Sequence, residues 1–320
     1  DAAFSSYRMA ADLGSAAAMN NLASCYGKGA GTPQNPREAL KWYHRAADQG
    51  LTIAMLNLAA IYERGELAEK DLQTARKWLR QAAGKGDSIA MLRLGRMARS
   101  GIGTDQDPQK AARWFRLSAD AGNAEAMYIL GALYNVGYGV SQDERKAVEW
   151  YRKAGKAGHG DAMVSLAQAY DRGQGVAQSQ KDAAEWYRRA ANAGSVAAMY
   201  NLAGRYREGL GIDKDYSEAA SWFQKAADKG ITAANYELAI AYEDGKGVPQ
   251  NSETAAAYMF RALKGGHIFS EQQMVTNSGV WSIAFRRELQ RLMQQEGVYS
   301  GAIDGKFGAG TRRAIRALTP

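Results

Sequence analysis

The chain has 320 residues, 46% of them hydrophobic, with 35 glycines and only 5 prolines. That balance excludes a disordered polymer and suits many helices stopped by glycine. One cysteine, Cys25, and three scattered histidines, His44, His159 and His267, exclude an intramolecular disulfide and a Cys/His metal cluster, and no apolar run reaches membrane-spanning length. The net charge of +8 would suit an acidic partner, nucleic acid or an anionic envelope polymer.

In chain order, residues 1–14 place Tyr7, Ala10, Ala11 and Gly14 where the second half of a helical hairpin would put them. A strict 36-residue period then runs through the tryptophans at 42, 78, 114, 150, 186 and 222, with Tyr258 in the next slot. Glycines from Gly14 to Gly266 and leucines from Leu22 to Leu238 keep the same spacing. Within one period, Ala162, Met163, Leu166, Ala167 and Tyr170 mark the apolar face of a first helix, A. A turn at Gly173 and Gly175 follows. Ala183, Trp186, Tyr187, Ala190 and Ala191 then mark a second amphipathic helix, B, stopped by Gly194. Seven such hairpins fill residues 15–266, preceded by a partial one. No single hairpin can bury its own apolar face, so consecutive ones must stack. Leu67 replaces the second turn glycine in repeat two, which predicts a different turn there. Ala98 replaces the usual tyrosine in repeat three, which predicts a looser core or local pocket.

The frame also isolates what varies. One slot on helix A reads Asn20, Leu56, Leu92, Tyr128, Val164, Tyr200 and Tyr236. Arg93, Arg96 and Arg99 read as a basic stripe on helix A of repeat three. Because helix A lines the concave side of hairpin solenoids, Tyr128, Tyr200, Tyr236 and the three arginines are the expected protein-partner contacts. Residues 267–280 read as a transition. Trp281 to Gln295 follows as an amphipathic helix, with Phe285, Leu289, Leu292 and Met293 on one face. A glycine-rich loop comes next, and a closing helix over Arg312 to Leu318 has Thr311 as its expected N-cap.

The pattern Asp143-x-x-Lys146-Ala147-x-x-Trp150-Tyr151-x-Lys153-Ala154 resembles the Sel1-like repeat family, relatives of tetratricopeptide repeats. The resemblance implies an all-α, right-handed α-solenoid that acts as a protein-interaction scaffold. Leu289-Gln290, Leu292, Gly297, Tyr299, Asp304-Gly305, Phe307-Gly308, Thr311 and Ala314 resemble the peptidoglycan-binding domain of bacterial wall hydrolases. That likeness implies a ligand site over Tyr299, Asp304, Lys306, Phe307, Arg312 and Arg313, in a module spanning 281–320. Seven basic and three acidic side chains lie in that span, a net +4 that suits the carboxylates of peptidoglycan stem peptides. Sel1-like repeats followed by such a motif also resemble the periplasmic region of PodJ-like polar localisation factors. That implies a periplasmic position and a membrane anchor upstream of a chain that starts in mid-pattern.

Other signals are read as architecture. Six of the seven tryptophans occupy the core slot of helix B, which argues against a carbohydrate platform. The Gly-x-Gly turns lack a preceding strand and a Gly-Lys-Ser/Thr ending, so they are not phosphate loops. No nucleophile, acid–base pair or metal set has a supporting context. The expectation is a non-enzymatic envelope scaffold, without cofactor or nucleic-acid partner, that binds proteins through the solenoid and peptidoglycan through the C-terminal module. The alternatives are an accessory subunit of a cell-wall enzyme and a cytoplasmic scaffold whose C-terminus is a structural cap.

Overall fold

A computed structural model describes residues 2–319, and among them all regular structure is helical. The helices form two compact units, one ending at His159 and the other beginning at Gly160. The first unit holds α1 (Ala2–Asp12), α2 (Ala16–Lys28), α3 (Pro36–Asp48), α4 (Thr52–Arg64), α5 (Leu72–Gly84), α6 (Ser88–Ser100), α7 (Pro108–Asp120), α8 (Ala124–Val136) and α9 (Glu144–Lys156). The second holds α10 (Gly160–Arg172), α11 (Gln180–Asn192), α12 (Val196–Glu208), α13 (Tyr216–Asp228), α14 (Thr232–Asp244), α15 (Ser252–Lys264), α16 (Ile268–Thr276), α17 (Ile283–Gln295) and α18 (Ala309–Leu318). Each unit is an α-solenoid of stacked hairpins, and no helix among the described residues is long and apolar enough to cross a membrane.

One turn recurs in every hairpin. The backbone N–H groups of Asn35, Asp71, Asp107, Asp143, Ser179, Asp215 and Asn251 donate to the carbonyls of Tyr26, Tyr62, Ala98, Tyr134, Tyr170, Tyr206 and Tyr242, at 2.8–2.9 Å. The same seven side chains accept from the first turn of helix B and cap it. Glutamines add a second tie: Gln106 Nε2 donates to the Arg99 carbonyl at 3.0 Å, and Gln142 Nε2 to the Asn135 carbonyl at 3.0 Å. Helix A therefore ends, and helix B begins, with its open backbone groups partnered.

The second turn glycine is needed for space as well as for backbone angle. At Gly139 (φ 70) a Cβ would stand 2.0 Å from the Pro108 carbonyl oxygen, and at Gly211 (φ 71) 2.0 Å from that of Gln180. Each turn thus sits directly on the start of the preceding helix B. Leu67 cannot take that conformation, and among the described residues no non-glycine residue has positive φ, so the repeat-two turn differs as expected. Its side chain packs instead into the first unit's core, near Gly27 and Ala39.

The periodic residues are the core. Leu22, Leu58, Leu130, Leu166, Leu202 and Leu238 are all at most 1% exposed; Trp42, Trp78, Trp150 and Trp186 are buried beside them, and Trp114 and Trp222 are half-buried. Ala98 is buried in the cluster of Phe115 and Leu130, so the smaller side chain opens no space at its own position. Residues 267–280 contain more structure than a transition: α16 takes the helix A position after α15, with Ser270 and Met274 buried, followed by a short 3-10 turn at Ser278–Val280.

The C-terminal module is not a separate body. Met259, Leu263 and Met274 share one apolar cluster with Trp281, Phe285, Leu289, Met293, Phe307 and Ile315. Trp281 stacks on Phe285 at 4.3 Å, Lys264 pairs with Glu296 at 2.6 Å, and the Ser282 N–H donates to Glu243 Oε1 at 2.8 Å.

Two outcomes follow from the turns. Gly211→Ala should cost about 2 kcal/mol or more, from left-handed strain and backbone overlap. Gly204→Ala, in a helix with open space around it, should stabilise by about 0.5–1 kcal/mol. Urea unfolding of both variants checks the contrast. Backbone N–H donors at Lys110 and Lys146 hold the Asp107 and Asp143 carboxyls below the ordinary aspartate value of 3.8. A lowered folded pKa gives stability that is present above that value and lost as pH falls through the folded pKa. Replacing both by Asn keeps the caps and should flatten the loss of stability below about pH 4, as read by thermal unfolding across pH.

Candidate functional site

The loop between α17 and α18 is organised by one buried side chain. Gln290, fully shielded from solvent, accepts the Gly305 N–H at 2.7 Å through Oε1. Its Nε2 faces the Lys306 carbonyl at 3.1 Å, Thr311 Oγ1 at 3.2 Å, Tyr299 Oη at 3.3 Å and Asp304 Oδ1 at 3.4 Å. Two amide hydrogens thus meet four acceptors, and a single glutamine ties the loop to the start of α18. Arg286 Nη1 donates to the Gly305 carbonyl at 2.8 Å from the same helix. Gly305 (φ 77) lies against Ile283, where a Cβ would come within 2.8 Å of its side chain.

This bracing leaves a groove of about 610 Å³ whose lining includes Tyr299, Ser300, Asp304, Lys306, Thr311 and Arg313. Tyr299 is oriented by its hydroxyl, which donates to the Ala302 carbonyl at 2.8 Å. Asp304 accepts the Lys306 N–H at 2.8 Å; that bond, with help from Gln290, holds its carboxyl below the usual range. Lys306 and Arg313 are exposed at the groove. The groove therefore offers two cations, the exposed Ser300 hydroxyl, the Tyr299 ring and one ionised carboxylate to a polar ligand.

Of the six residues expected here, Tyr299, Asp304, Lys306 and Arg313 meet at the groove. Phe307 does not: it is buried in the apolar cluster shared with α15. Arg312 is exposed but not part of the lining, because successive helix positions point about 100° apart. Thr311 is not the N-cap. The Arg312 N–H already donates to the Gly308 carbonyl at 3.0 Å, so α18 starts at Ala309 and Thr311 is buried in its first turn.

The helix A residues are placed differently from a shared surface. Arg93 donates to the Leu56 carbonyl at 3.1 Å and pairs with Glu63, both on α4. Arg96 pairs with Glu125 on α8, and Arg99 lies 5.9 Å over the Phe115 ring of α7. The three arginines diverge to three helices rather than forming one stripe, since residues three apart rotate by about 60° each step. Tyr128 stacks on His159 at 4.7 Å, and Tyr200 meets Phe223 edge-on at 5.5 Å. Tyr236 contacts His267 at 5.6 Å and Phe269 at 5.3 Å. All three tyrosines are half-buried, and burial raises the Tyr200 and Tyr236 phenol pKa values, with Glu237 adding to each. Phe269, 48% exposed beside Tyr236, was not expected. Its slot holds Ala, Ile, Glu or Asp elsewhere, and that departure was the available signal. Among the described residues no group of three or more His, Cys, Asp or Glu side chains could hold a metal ion.

Seven consecutive segments, 16–51, 52–87, 88–123, 124–159, 160–195, 196–231 and 232–267, match the Sel1 repeat family. The chain belongs to that family, whose fold serves as an interaction scaffold. Residues 284–318 match the family described as "Putative peptidoglycan binding domain". Among solved structures, a Sel1 repeat protein from Oxalobacter formigenes is 31% identical with a TM-score of 0.71, covering 85% of this chain and 79% of its own. The c5321 protective antigen of uropathogenic Escherichia coli, described as displaying an SLR fold, is 26% identical with a TM-score of 0.79. That alignment covers 91% of this chain and 67% of the antigen. No curated protein gives a significant match.

Gln290→Leu leaves the Gly305 N–H and three loop acceptors without their partner. It should cost about 1–3 kcal/mol, and amide hydrogen exchange should quicken across 297–311 while the helices of the first unit keep their protection.

Proposed function

We propose that this protein is a non-enzymatic scaffold of the bacterial envelope, holding protein partners on its Sel1 repeats and peptidoglycan in the C-terminal groove. The observation that carries the proposal is the groove itself. Tyr299, Asp304, Lys306 and Arg313, separated by up to 14 residues in sequence, converge on it in the segment that matches a wall-binding family. Peptidoglycan presents stem-peptide carboxylates beside sugar hydroxyls and amides. The two cations suit the first, and Asp304 with the Ser300 hydroxyl suits the others. Access to that polymer requires a periplasmic position. Tyr236 and the exposed Phe269 give the second unit an aromatic surface suited to a protein partner. A body that grips the wall while holding proteins would keep those proteins at a chosen place, the requirement for a role in cell-pole organisation.

The module shares its core with the last hairpin, so deleting it would expose that core. Point variants of the whole chain are the sound test. Lys306→Glu with Arg313→Glu should leave the thermal midpoint unchanged, because both side chains are exposed. It should reduce co-sedimentation with purified sacculi by about tenfold, an effect weakened by salt in the wild type. Equal sedimentation of the two proteins, or none by either, would overturn wall binding through this groove.

A further inference from the structure

The repeats share one frame, so a slot that breaks it can be read against its equivalents. α7, α8 and the turn at Gly139 enclose a groove of about 570 Å³ in the first unit. Its floor includes Ala112, Leu130 and Val140, and its rim carries Arg113, Arg116 and Leu117. Three positions along α7 shape it, and Leu117 is the one that departs from its equivalents.

The first is Ala112. One repeat earlier the same slot is Arg76, which reaches the turn and donates to the Gly103 carbonyl at 3.0 Å. With alanine there, the space between helix and turn stays open. The second is Arg113. In the next two repeats this slot is Glu149 and Glu185, and Glu185 holds Arg188 at 3.5 Å and Arg189 at 3.0 Å. Repeat three carries a cation there instead, as Lys41 and Lys77 do in repeats one and two. The third is Leu117. Five other repeats place a cation in this slot, over the aromatic ring of the preceding turn: Arg45, Lys153, Arg189, Lys225 and Arg261 lie 3.7–5.2 Å from their rings. Leu117 leaves an apolar surface instead, 48% exposed.

Arg116 is held ready rather than neutralised. Its guanidinium lies 4.9 Å over the Trp150 ring and donates to Tyr134 Oη at 2.6 Å. Among the described residues no carboxylate forms an ion pair within 4.0 Å of Arg113 or Arg116, and none lines the groove; Asp107, which feels the Arg113 charge, is bonded to Lys110. Grooves of the second unit are different: there Arg207 is paired with Glu237 within the lining itself. Two cations without a direct ion pair, flanking an apolar cleft, have a definite complement.

We propose that this groove docks an acidic peptide segment of a partner protein, one apolar side chain entering between α7 and α8 while flanking carboxylates meet Arg113 and Arg116. The proposal rests on the scaffold reading and gives one partner its chemistry and its place. A planar guanidinium stacked on an aromatic ring loses little freedom on pairing, and a desolvated apolar neighbour strengthens the ion pair.

The probe is a fluorescein-labelled octapeptide alternating glutamate and leucine, titrated into the full chain by anisotropy, with amide chemical shifts to locate it. Saturable binding is expected, weakened by salt, with shifts centred on 112–117 and 130–140. Arg113→Glu introduces the acid that repeats four and five already carry, so folding should be unaffected. It should lower affinity by about tenfold or more, and Leu117→Lys should lower it as well. Peptides with serine for leucine, or lysine for glutamate, should not bind. Absent binding, equal affinity for Arg113→Glu, or shifts centred on Tyr128 or Tyr236 would overturn this groove as the site. Tighter binding of an oligothymidylate at these residues would assign it to nucleic acid and overturn it too. Sacculus sedimentation of Arg113→Glu should match the wild type, so failure here is distinct from failure of wall binding.

Discussion

Each repeat depends on the hydrogen bond from the first capping residue of helix B back to a carbonyl in the last turn of helix A. It spans nine residues and fixes how far the chain turns back. Once closed, the turn presents the leucine and alanine face of helix A to the tryptophan and alanine face of helix B. The capping side chain then completes the start of helix B with a second bond from the same residue. A hairpin held this way still exposes apolar surface on both sides, and only the next hairpin covers it. The second turn glycine makes that stacking close, because the turn rests on backbone rather than on a side chain. Leu67 shows the alternative: where the glycine is lost, the turn keeps its place by filling core volume with a side chain.

A frame this strict leaves few positions free to specify binding, and it makes those positions legible by contrast. The core slots carry leucine, tryptophan and alanine almost without exception. The rim slots exchange cation, acid and apolar residue from repeat to repeat at little cost to the fold. Leu117 breaks the frame beside one cleft, where Arg113 and Arg116 stand without a directly paired carboxylate. Arg93, Arg96 and Arg99 also break it, but neighbouring helices absorb their charge: Glu63, Glu125 and the Phe115 ring each take one. An unusual residue becomes a site only where the surrounding repeats fail to satisfy it.

The C-terminal module extends the same principle. Two helices and a glycine-rich loop bury too little surface to hold alone, and they borrow the core of α15 and α16. Trp281, outside the repeat period, is the bridge, stacked on Phe285 within the cluster that also contains Met259. Gln290 does for the loop what the capping residues do for each turn, partnering backbone that would otherwise be buried without bonds. The groove built on that support is fixed to the repeats rather than tethered to them.

The period, the helix positions, the glycine stops and the structural role of the repeat tryptophans were legible in the sequence. They follow from local geometry repeated seven times, so each repeat corroborates the next. The C-terminal motif likewise pointed to Tyr299, Asp304, Lys306 and Arg313, which do share a groove. Other features needed the tertiary structure. Whether an arginine is free depends on a carboxylate some thirty residues away, as Glu63 and Glu125 are from Arg93 and Arg96. That Phe307 turns inward, that Thr311 is buried within α18 rather than capping it, and that α16 continues the array as far as Thr276 depend on what packs against each. Neighbours in sequence determined the repeat. Neighbours in space decided which side chains the repeat leaves available.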